Sequence, residues 1–279
     1  MSFSVNTNAS AFVALQNLNG TNAQLNQVQN RINTGLAVSS AKDDAATFAI
    51  AQNLRSDIGG LNAVKSSLSR AQSTVDVGLS AAESISDLLI DLKEKAVAAS
   101  DAGLDASSRS AISDDFNALF SQIGTIVQSA EFNGTNIIDG TDNISAILND
   151  QGTQTFSVAA QNVSTSGGAA SLTASTITSA AGAASLVVEI ESAIASVNQT
   201  LSQLGSAART LEQQQTFVTQ LSDTIQAGIG NLVDAALAQE SARLQSLQVQ
   251  QQLGLQALSI ANQAPSAVLS LFRWAIERI

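Results

Sequence analysis

Hydrophobic residues recur every seven positions near both ends of the chain. In the first segment Leu18, Leu25 and Ile32 share one heptad position, and Val28 fills the alternate position. Four leucines form the corresponding seam in the last segment, namely Leu237, Leu244, Leu247 and Leu258. A helix with one narrow apolar stripe is not stable alone in water and needs another helix along its length. The pattern predicts terminal helices over roughly 9–35 and up to 262, which pair with each other and with neighbouring copies.

The longest helical pattern follows Ser40. Ser40 stands at a predicted N-cap, with Asp43 at the capping-box offset, and Asp44 adds negative charge at the positive end of the helix dipole. Apolar residues then recur in two neighbouring rows, a face wide enough to pack against two helices. The expected bend or close-contact point of this helix is the pair Gly59 and Gly60, and Gly103 is its expected C-cap.

The middle of the chain changes from helical to strand-like periodicity. A third helix is predicted from Asp105 to about Ala130. Short apolar runs at 137–138, 144–148 and 155–158 then predict strands, with a turn in the Asn- and Gly-containing sequence between the last two. The Ser-, Thr-, Ala- and Gly-rich stretch that follows is compatible with either a linker or a short exposed cap.

A fourth helix is predicted from about Ala184, with a hinge at Gly228 and Gly230 before the C-terminal helix.

The predicted fold class is mainly α: a long antiparallel helical bundle and coiled coil with a small β-hairpin region and discontinuous N- and C-terminal halves. Residues 1–44 with 235–279 are expected to form a terminal coiled-coil inner domain. Residues 45–148 with 184–234 are expected to form a helical bundle with the hairpin. Residues 149–183 are expected to be a short exposed variable region.

Composition narrows the range of functions. The chain of 279 residues has no His and no Cys, so the usual nucleophile–base pairs and most transition-metal sites cannot be built. A carboxylate-only or Ser/Lys active site stays open, but no catalytic, cofactor or metal site is predicted. The net charge of −11 argues against a nucleic-acid partner.

Sorting signals are not apparent. The first residues have neither the basic cluster nor the apolar run of a signal peptide, and no stretch approaches the roughly 20 apolar residues that cross a bilayer. The sequence therefore predicts no membrane insertion, and a secreted protein of this kind needs another export route.

Short motifs at both ends resemble those of one family. They are NTN at 6–8, INTGL at 32–36, SAKDDAA at 40–46, IA at 50–51, EFNG at 131–134, LGSA at 204–207 and ALSIANQAPSAVLSLF at 257–272. Together, over roughly 1–140 and 185–273, they closely resemble the terminal regions of bacterial flagellins. Each motif alone is weak, but two signatures in the right order are specific.

The resemblance implies a structural subunit that polymerises into the flagellar filament for swimming motility, located outside the cell. It implies export in an unfolded state by the flagellar type III apparatus and growth of the filament beneath a cap. The implied partners are further copies of the chain, an export chaperone, the export apparatus, the filament cap and hook-associated proteins.

The residues expected at contacts between subunits are Leu18, Leu25, Val28, Ile32, Asp43, Asp44, Leu237, Leu244, Leu247 and Leu258. The resemblance also implies O-glycosylation of exposed hydroxyls, and the candidates are Thr153, Thr155, Ser164, Thr165, Ser166, Ser171 and Thr173.

Two of the departures from the family pattern lie near the C-terminal end of the sequence. Ala236 stands in the segment 233–240, where relatives usually carry an acidic residue, and residues 274–279 extend beyond the point where relatives stop.

Two alternative functions are compatible with the terminal pattern. A hook–filament junction protein has the same terminal helices but does not form long filaments alone. A coiled-coil signalling or adhesin module is the alternative from another class, but a signalling module of this kind needs a membrane anchor or a symmetric hairpin tip, and the sequence shows neither.

Overall fold

The computed structural model describes residues 7–172 and 177–276, with side chains described as far as residue 263. The described elements are α1 (Ala9–Thr34), α2 (Ala45–Ala99), α3 (Ala106–Ser129), β1 (Ile144–Ile147), β2 (Thr155–Val158), α4 (Ala180–Val233) and α5 (Leu237–Ile276). The mainly α fold with a small antiparallel hairpin confirms the predicted fold class.

The chain divides into two compact units. Residues 1–55 and 225–279 form unit 1, and residues 56–224 form unit 2. Unit 1 thus joins the two ends of the chain. The three domains expected from the sequence, with their boundaries, stay a prediction.

In unit 1, α1 packs antiparallel to α5. Leu25 and Val28 of α1 form a small buried cluster with Leu247 of α5. Near the start of α1, Leu18 lies over Gly254, where an added Cβ would be 3.2 Å from a Leu18 methyl carbon. The helical stripes predicted from the heptads therefore face each other within one chain.

The start of α2 differs from the prediction. The helix begins at Ala45, and Asp44 is its capping side chain, because one carboxylate oxygen accepts from the backbone N–H groups of Ala46 and Thr47 at 3.0 and 3.1 Å. Ser40 does not cap a helix. It lies one turn earlier, in a loop closed by the Asp43 carboxylate.

The predicted hinge is also misplaced. Helix α4 begins at Ala180, runs through Gly228 and Gly230, and ends at Val233. The interruption falls at 234–236 instead. Single glycines cost a helix only about 1 kcal/mol each, which the packing of a long helix offsets.

In unit 2, the core lies among α2, α3 and α4. Leu68, Ile85 and Leu89 of α2, Phe116 and Ile123 of α3, and Leu186, Ile190, Leu204 and Leu211 of α4 are all completely or almost completely buried. Helices α2 and α4 are antiparallel here, since Lys93 pairs with Glu191 at 2.8 Å while the Gly78 position lies beside Leu204.

Arg109 closes the turn between α2 and α3. Its buried guanidinium donates through Nε to the carbonyl of Ala99 at 3.1 Å and through Nη2 to that of Asp101 at 2.7 Å. It thereby satisfies carbonyls at the C-terminal end of α2, which the expected cap at Gly103 does not do.

The two strands pair as predicted, with Ile144 opposite Val158 and Ile147 opposite Thr155. Residues 137–138 were expected to form a strand but lie outside both strands. They are completely buried, and their carbonyls accept from the N–H groups of Gln161 and Val163.

The stretch that follows the hairpin packs on the bundle. Val163, Ala170 and Leu172 are buried, as is Ile177, whose N–H donates to Ser113 of α3. These anchors argue against a free linker within the region expected to be exposed.

Two glycines of α2 allow close packing. A Cβ at Gly60 would lie 2.8 Å from Cβ of Asp150 in the hairpin turn, whereas Gly59 faces open space. A Cβ at Gly78 would overlap the Ile137 side chain. The predicted close contact at 59–60 is therefore made by Gly60, with no break in the helix.

By length and composition alone, α4 would be long and apolar enough to cross a membrane. Its apolar part supplies Leu186, Ile190 and Val197 to the core of unit 2, which is what a bundle helix requires.

Candidate self-assembly interface

The residues predicted at subunit contacts divide into two groups. Leu18, Leu25, Val28 and Leu247 are buried between α1 and α5 of the same chain, with Ile32 and Leu244 partly buried against them. Leu237 is 49% exposed, Leu258 is half-buried, and Asp43 and Asp44 are exposed. Most of the heptad seam thus holds one chain together and is not available to a neighbour unless the pair opens.

A second set of apolar side chains on the same two helices faces outward. It comprises Phe12, Val13 and Leu15 of α1, and Val249, Leu253, Leu255 and Ile260 of α5, each more than 40% exposed. The heptad pattern missed these residues because they lie off the seam. In the sequence they are recognisable as apolar residues at heptad positions that are expected to be polar. So many exposed large apolar residues indicate an interaction surface.

Polar contacts fix the register of α1 against α5. Arg31 donates to Glu240 at 3.1 Å, and Gln251 donates to Asn22 at 2.8 Å. The best-attested role of polar pairs between packed helices is the selection of one register. Sequence reasoning missed the Arg31–Glu240 pair, since nothing local links residues 209 positions apart.

Two connectors lie beside this helix pair: the first, 35–44, joins α1 to α2, and the second, 234–236, joins α4 to α5. Backbone hydrogen bonds link the first connector to the second and to the end of α4. The N–H of Ala37 donates to the carbonyl of Val233 at 2.7 Å, and the N–H of Ala235 donates to that of Gly35 at 2.8 Å. Gly35 ends α1 in the left-handed region, with φ of 72°, which glycine adopts without strain. The connectors therefore hold the α1 C-terminus beside the α5 N-terminus.

Asp43 and Asp44 organise the connector that precedes α2. Hydrogen bonds, first from the Ser39 hydroxyl and next from the Ser40 N–H, lower the pKa of the Asp43 carboxyl. The Thr47 hydroxyl and then its N–H lower the pKa of Asp44. Both carboxylates have local roles in one chain, so their exposure is not by itself evidence of a contact with another copy.

Ala236 lies at the N-cap position of α5. Its carbonyl accepts from the N–H of Glu240 at 3.0 Å, the first bond of the helix, but its methyl group cannot accept from the free N–H groups that follow. The departure from the family pattern therefore falls where a side-chain acceptor stabilises a helix.

The candidate modification sites differ in accessibility. Thr153, Thr155, Ser166 and Ser171 are exposed. Ser164 and Thr165 are half-buried, and the Ser164 hydroxyl donates to the Asn162 side chain at 2.7 Å. Thr173 lies outside the described residues.

Charge is divided unequally between the units. Unit 1 contains six Lys and Arg and five Asp and Glu residues, a net charge of +1. Unit 2 contains six Lys and Arg residues and eighteen Asp and Glu residues, a net charge of −12. Self-repulsion of copies is therefore concentrated on unit 2, while unit 1 is nearly neutral and apolar at its surface.

Among the described residues, no group of three or more His, Cys, Asp or Glu side chains is arranged to hold a metal ion.

Comparison with known proteins agrees with these features. A family model for the bacterial flagellin N-terminal helical region matches residues 5–143, and one for the C-terminal helical region matches residues 187–272. The chain is 49% identical over 270 residues to the flagellin FljM of Caulobacter vibrioides, covering 97% of this chain and 98% of that protein. It is 37% identical over 284 residues to a flagellin of Brucella melitensis, covering 97% and 99%.

A putative flagellar hook-associated protein from Vibrio parahaemolyticus has a similar structure, with a TM-score of 0.55 at 13% identity over 69% of this chain and 100% of that one. At that identity the similarity concerns the fold alone.

Proposed function

The chain belongs to the bacterial flagellin family, and we propose from this that the α1–α5 pair is the element through which it polymerises. Its family membership makes it a structural subunit of the extracellular flagellar filament, a polymer of identical copies. The observation that carries the finer proposal is the outward-facing apolar set on α1 and α5. Neighbouring copies remove these side chains from water, which contributes about 25 cal/mol per Å² of apolar surface covered.

The small core of the helix pair supports folding on assembly. Among the described side chains, the buried cluster of the pair comprises Leu25, Val28 and Leu247, with Ile32 and Leu244 at its edge, and Leu18 is buried farther along α1. Two helices with so little buried between them are marginal in isolation, because conformational entropy opposes their ordering. In this proposal α1 and α5 fray in the monomer and become ordered in the filament.

Export in an unfolded state is compatible with the same arrangement. The chain has no Cys and therefore no disulfide that hinders passage as an extended chain. We propose that an export chaperone covers the terminal apolar residues before export. The flagellar type III apparatus then exports the chain, and the filament cap and hook-associated proteins guide its addition.

The behaviour of the purified chain distinguishes a filament subunit from a junction protein. We expect the chain alone, after salting out, to form long filaments in negative-stain electron microscopy. Ser171→Asp, which adds a charge at an exposed position outside the α1–α5 pair, is the control and is expected to leave filaments unchanged. Leu255→Asp is expected to prevent them. Failure of the unaltered chain to form filaments would contradict the proposal.

We propose that sugar, where present, is attached to the exposed hydroxyls of Thr155, Ser166 and Ser171 in preference to Ser164. The reason is that the Ser164 hydroxyl is already a hydrogen-bond donor. An intact mass of filament-derived protein equal to 28.6 kDa means that no sugar is attached.

A further inference from the structure

A polar cleft in unit 2 contains an arginine that has no ionic partner among the described residues. The cleft has a volume of 170 Å³ and lies between α2 and the chain around β1. Arg70 lines it together with Ser67, Thr74, Asn133, Thr135, Asn143 and Ser145, among others. Arg70 is exposed and makes no ion pair within the described part of the chain.

The cleft presents donors and lacks acids. Asn143 accepts an N–H from Ala160 through Oδ1, which leaves its Nδ2 group free to donate. The exposed Ser145 hydroxyl is a further donor. No Asp or Glu lines the cleft, although eighteen of the residues in unit 2 are acidic and only six are basic. A guanidinium flanked by amide and hydroxyl donors is suited to a carboxylate.

The same helix carries an acidic stripe at a distance from the cleft. Glu83, Asp87, Asp91 and Glu94 are exposed at helical spacing on α2, and none makes an ion pair in the described residues. Like charges four residues apart destabilise a helix, so this stripe is more stable beside a cation. The nearby Lys95 is paired with Asp115 at 3.0 Å, and this bond first, and then the charges of Glu94 and Asp91, raise the pKa of Lys95. The stripe therefore has a neighbouring cation, which is shared with α3.

Within one copy the cleft and the stripe cannot meet. At 1.5 Å per residue, about 20–36 Å of rigid helix separate Arg70 from the stripe. In a filament of identical copies, contacts join different patches of successive subunits, so the stripe of one copy can reach the cleft of another.

We infer that the Arg70 cleft binds a carboxylate from the acidic stripe of a second copy of the chain. This inference rests on the proposed function, because it needs a polymer of the chain. The contact gives unit 2 a specific attraction between copies in spite of its net negative charge, and it adds direction to the apolar association of unit 1.

The critical concentration for polymerisation reports the strength of this contact between copies. Arg70→Glu is expected to raise it by about tenfold or more, whereas Arg70→Lys, which keeps the charge but loses the paired donors, raises it by about threefold. Arg209→Glu is the matched control, since Arg209 is exposed in α4, makes no described ion pair and does not line the cleft. Equal critical concentrations for Arg70→Glu and Arg209→Glu would overturn the inference. Failure of the unaltered chain to polymerise would instead contradict the proposed function.

Cross-linking identifies the occupant. Because the chain has no Cys, Ser145→Cys provides a single thiol at the cleft for a benzophenone label. In filaments grown from mixed ¹⁴N- and ¹⁵N-labelled copies, we expect heavy-to-light cross-links to peptides that contain residues 83–94. Cross-links confined to one copy, or intermolecular links to any other segment, would overturn the inference. Circular dichroism of each variant monomer, matching that of the unaltered chain, excludes misfolding as the cause.

Discussion

Gly60 illustrates what the sequence indicates at the scale of a residue. The glycine pair at 59–60 predicted a bend or a close contact, but only the folded hairpin decides between them. Its turn places Asp150 against Gly60, while Gly59 faces open space. The need for a glycine was visible in the sequence, and the reason for it was not, because the contacting residue lies 90 positions away.

We predict opposite effects for substitutions at these two positions. Gly60→Ala inserts a Cβ 2.8 Å from Asp150 and should lower the free energy of unfolding by about 1–3 kcal/mol. Gly59→Ala adds no contact and should raise it by up to about 1 kcal/mol. Thermal unfolding of the two variants checks this. Equal destabilisation by both would show that the hairpin does not pack on α2 as described.

Polar partners on different helices and turns are likewise invisible in the sequence. The Ala99 and Asp101 carbonyls that Arg109 caps, and the Glu240 that Arg31 binds, follow from how helices meet. Local capping is easier to predict, yet the cap of α2 shifted from Ser40 to Asp44. Both carry a suitable oxygen, and only the start of the helix distinguishes them.

We predict that Ala236→Asp stabilises α5 by about 1 kcal/mol, because a carboxylate at the N-cap accepts a free N–H group. The filament should dissociate at a higher temperature than that of the unaltered chain. Ala242→Asp, at an exposed position inside α5, is the control and should not raise this temperature. An equal rise for both variants would mean that charge alone, and not the cap, is responsible.

At the scale of elements, periodicity predicted most helices well. Both limits of helices α1 and α3 lie within one residue of the prediction. Their starts are fixed by the side-chain oxygens of Asn8 and Asp105, which cap them. The hairpin strands were also recognised. The break before α5 was not, because glycines suggested a hinge and the true interruption, at 234–236, is fixed by hydrogen bonds to the first connector.

The caps make helix stability depend on pH. The Ser108 hydroxyl and N–H lower the pKa of Asp105 from its usual 3.8, and Thr47 does the same for Asp44. A carboxyl group whose pKa is lower in the folded than in the unfolded state stabilises the folded state at pH values above its unfolded pKa. This stabilisation is lost as the pH falls below 3.8 and through the folded pKa. The melting temperature of Asp105→Asn should therefore fall less than that of the unaltered chain between about pH 5 and about pH 2.5, a range that brackets the usual carboxyl pKa. An unchanged pH dependence would contradict this role.

The seam between α1 and α5 is predicted to be essential for assembly but not for unit 2. Leu25→Asp or Leu244→Asp places a charge in or beside the cluster with Val28 and Leu247, where an unpaired charge is strongly disfavoured. Both variants should fail to polymerise, as judged by sedimentation, while the helical circular dichroism of unit 2 persists. Normal filaments from either variant would show that the seam is assigned wrongly.

At the scale of the whole molecule, composition predicted more than any single motif. The absence of His and Cys and the apolar termini indicated assembly, and the family comparison confirms a filament subunit. The outward-facing set on α1 and α5 was visible in the sequence only as apolar residues off the heptad seam, and the Arg70 cleft was not visible at all, because a sequence does not show which side of a helix remains uncovered after folding.

Amide hydrogen exchange of monomer and filament tests most directly whether the terminal pair is the assembling element. Unit 2, with its large core, should be protected in both states, whereas α1 and α5 should exchange rapidly in the monomer and become protected in the filament. Strong protection of α1 and α5 already in the monomer, or no gain of protection on polymerisation, would contradict the account.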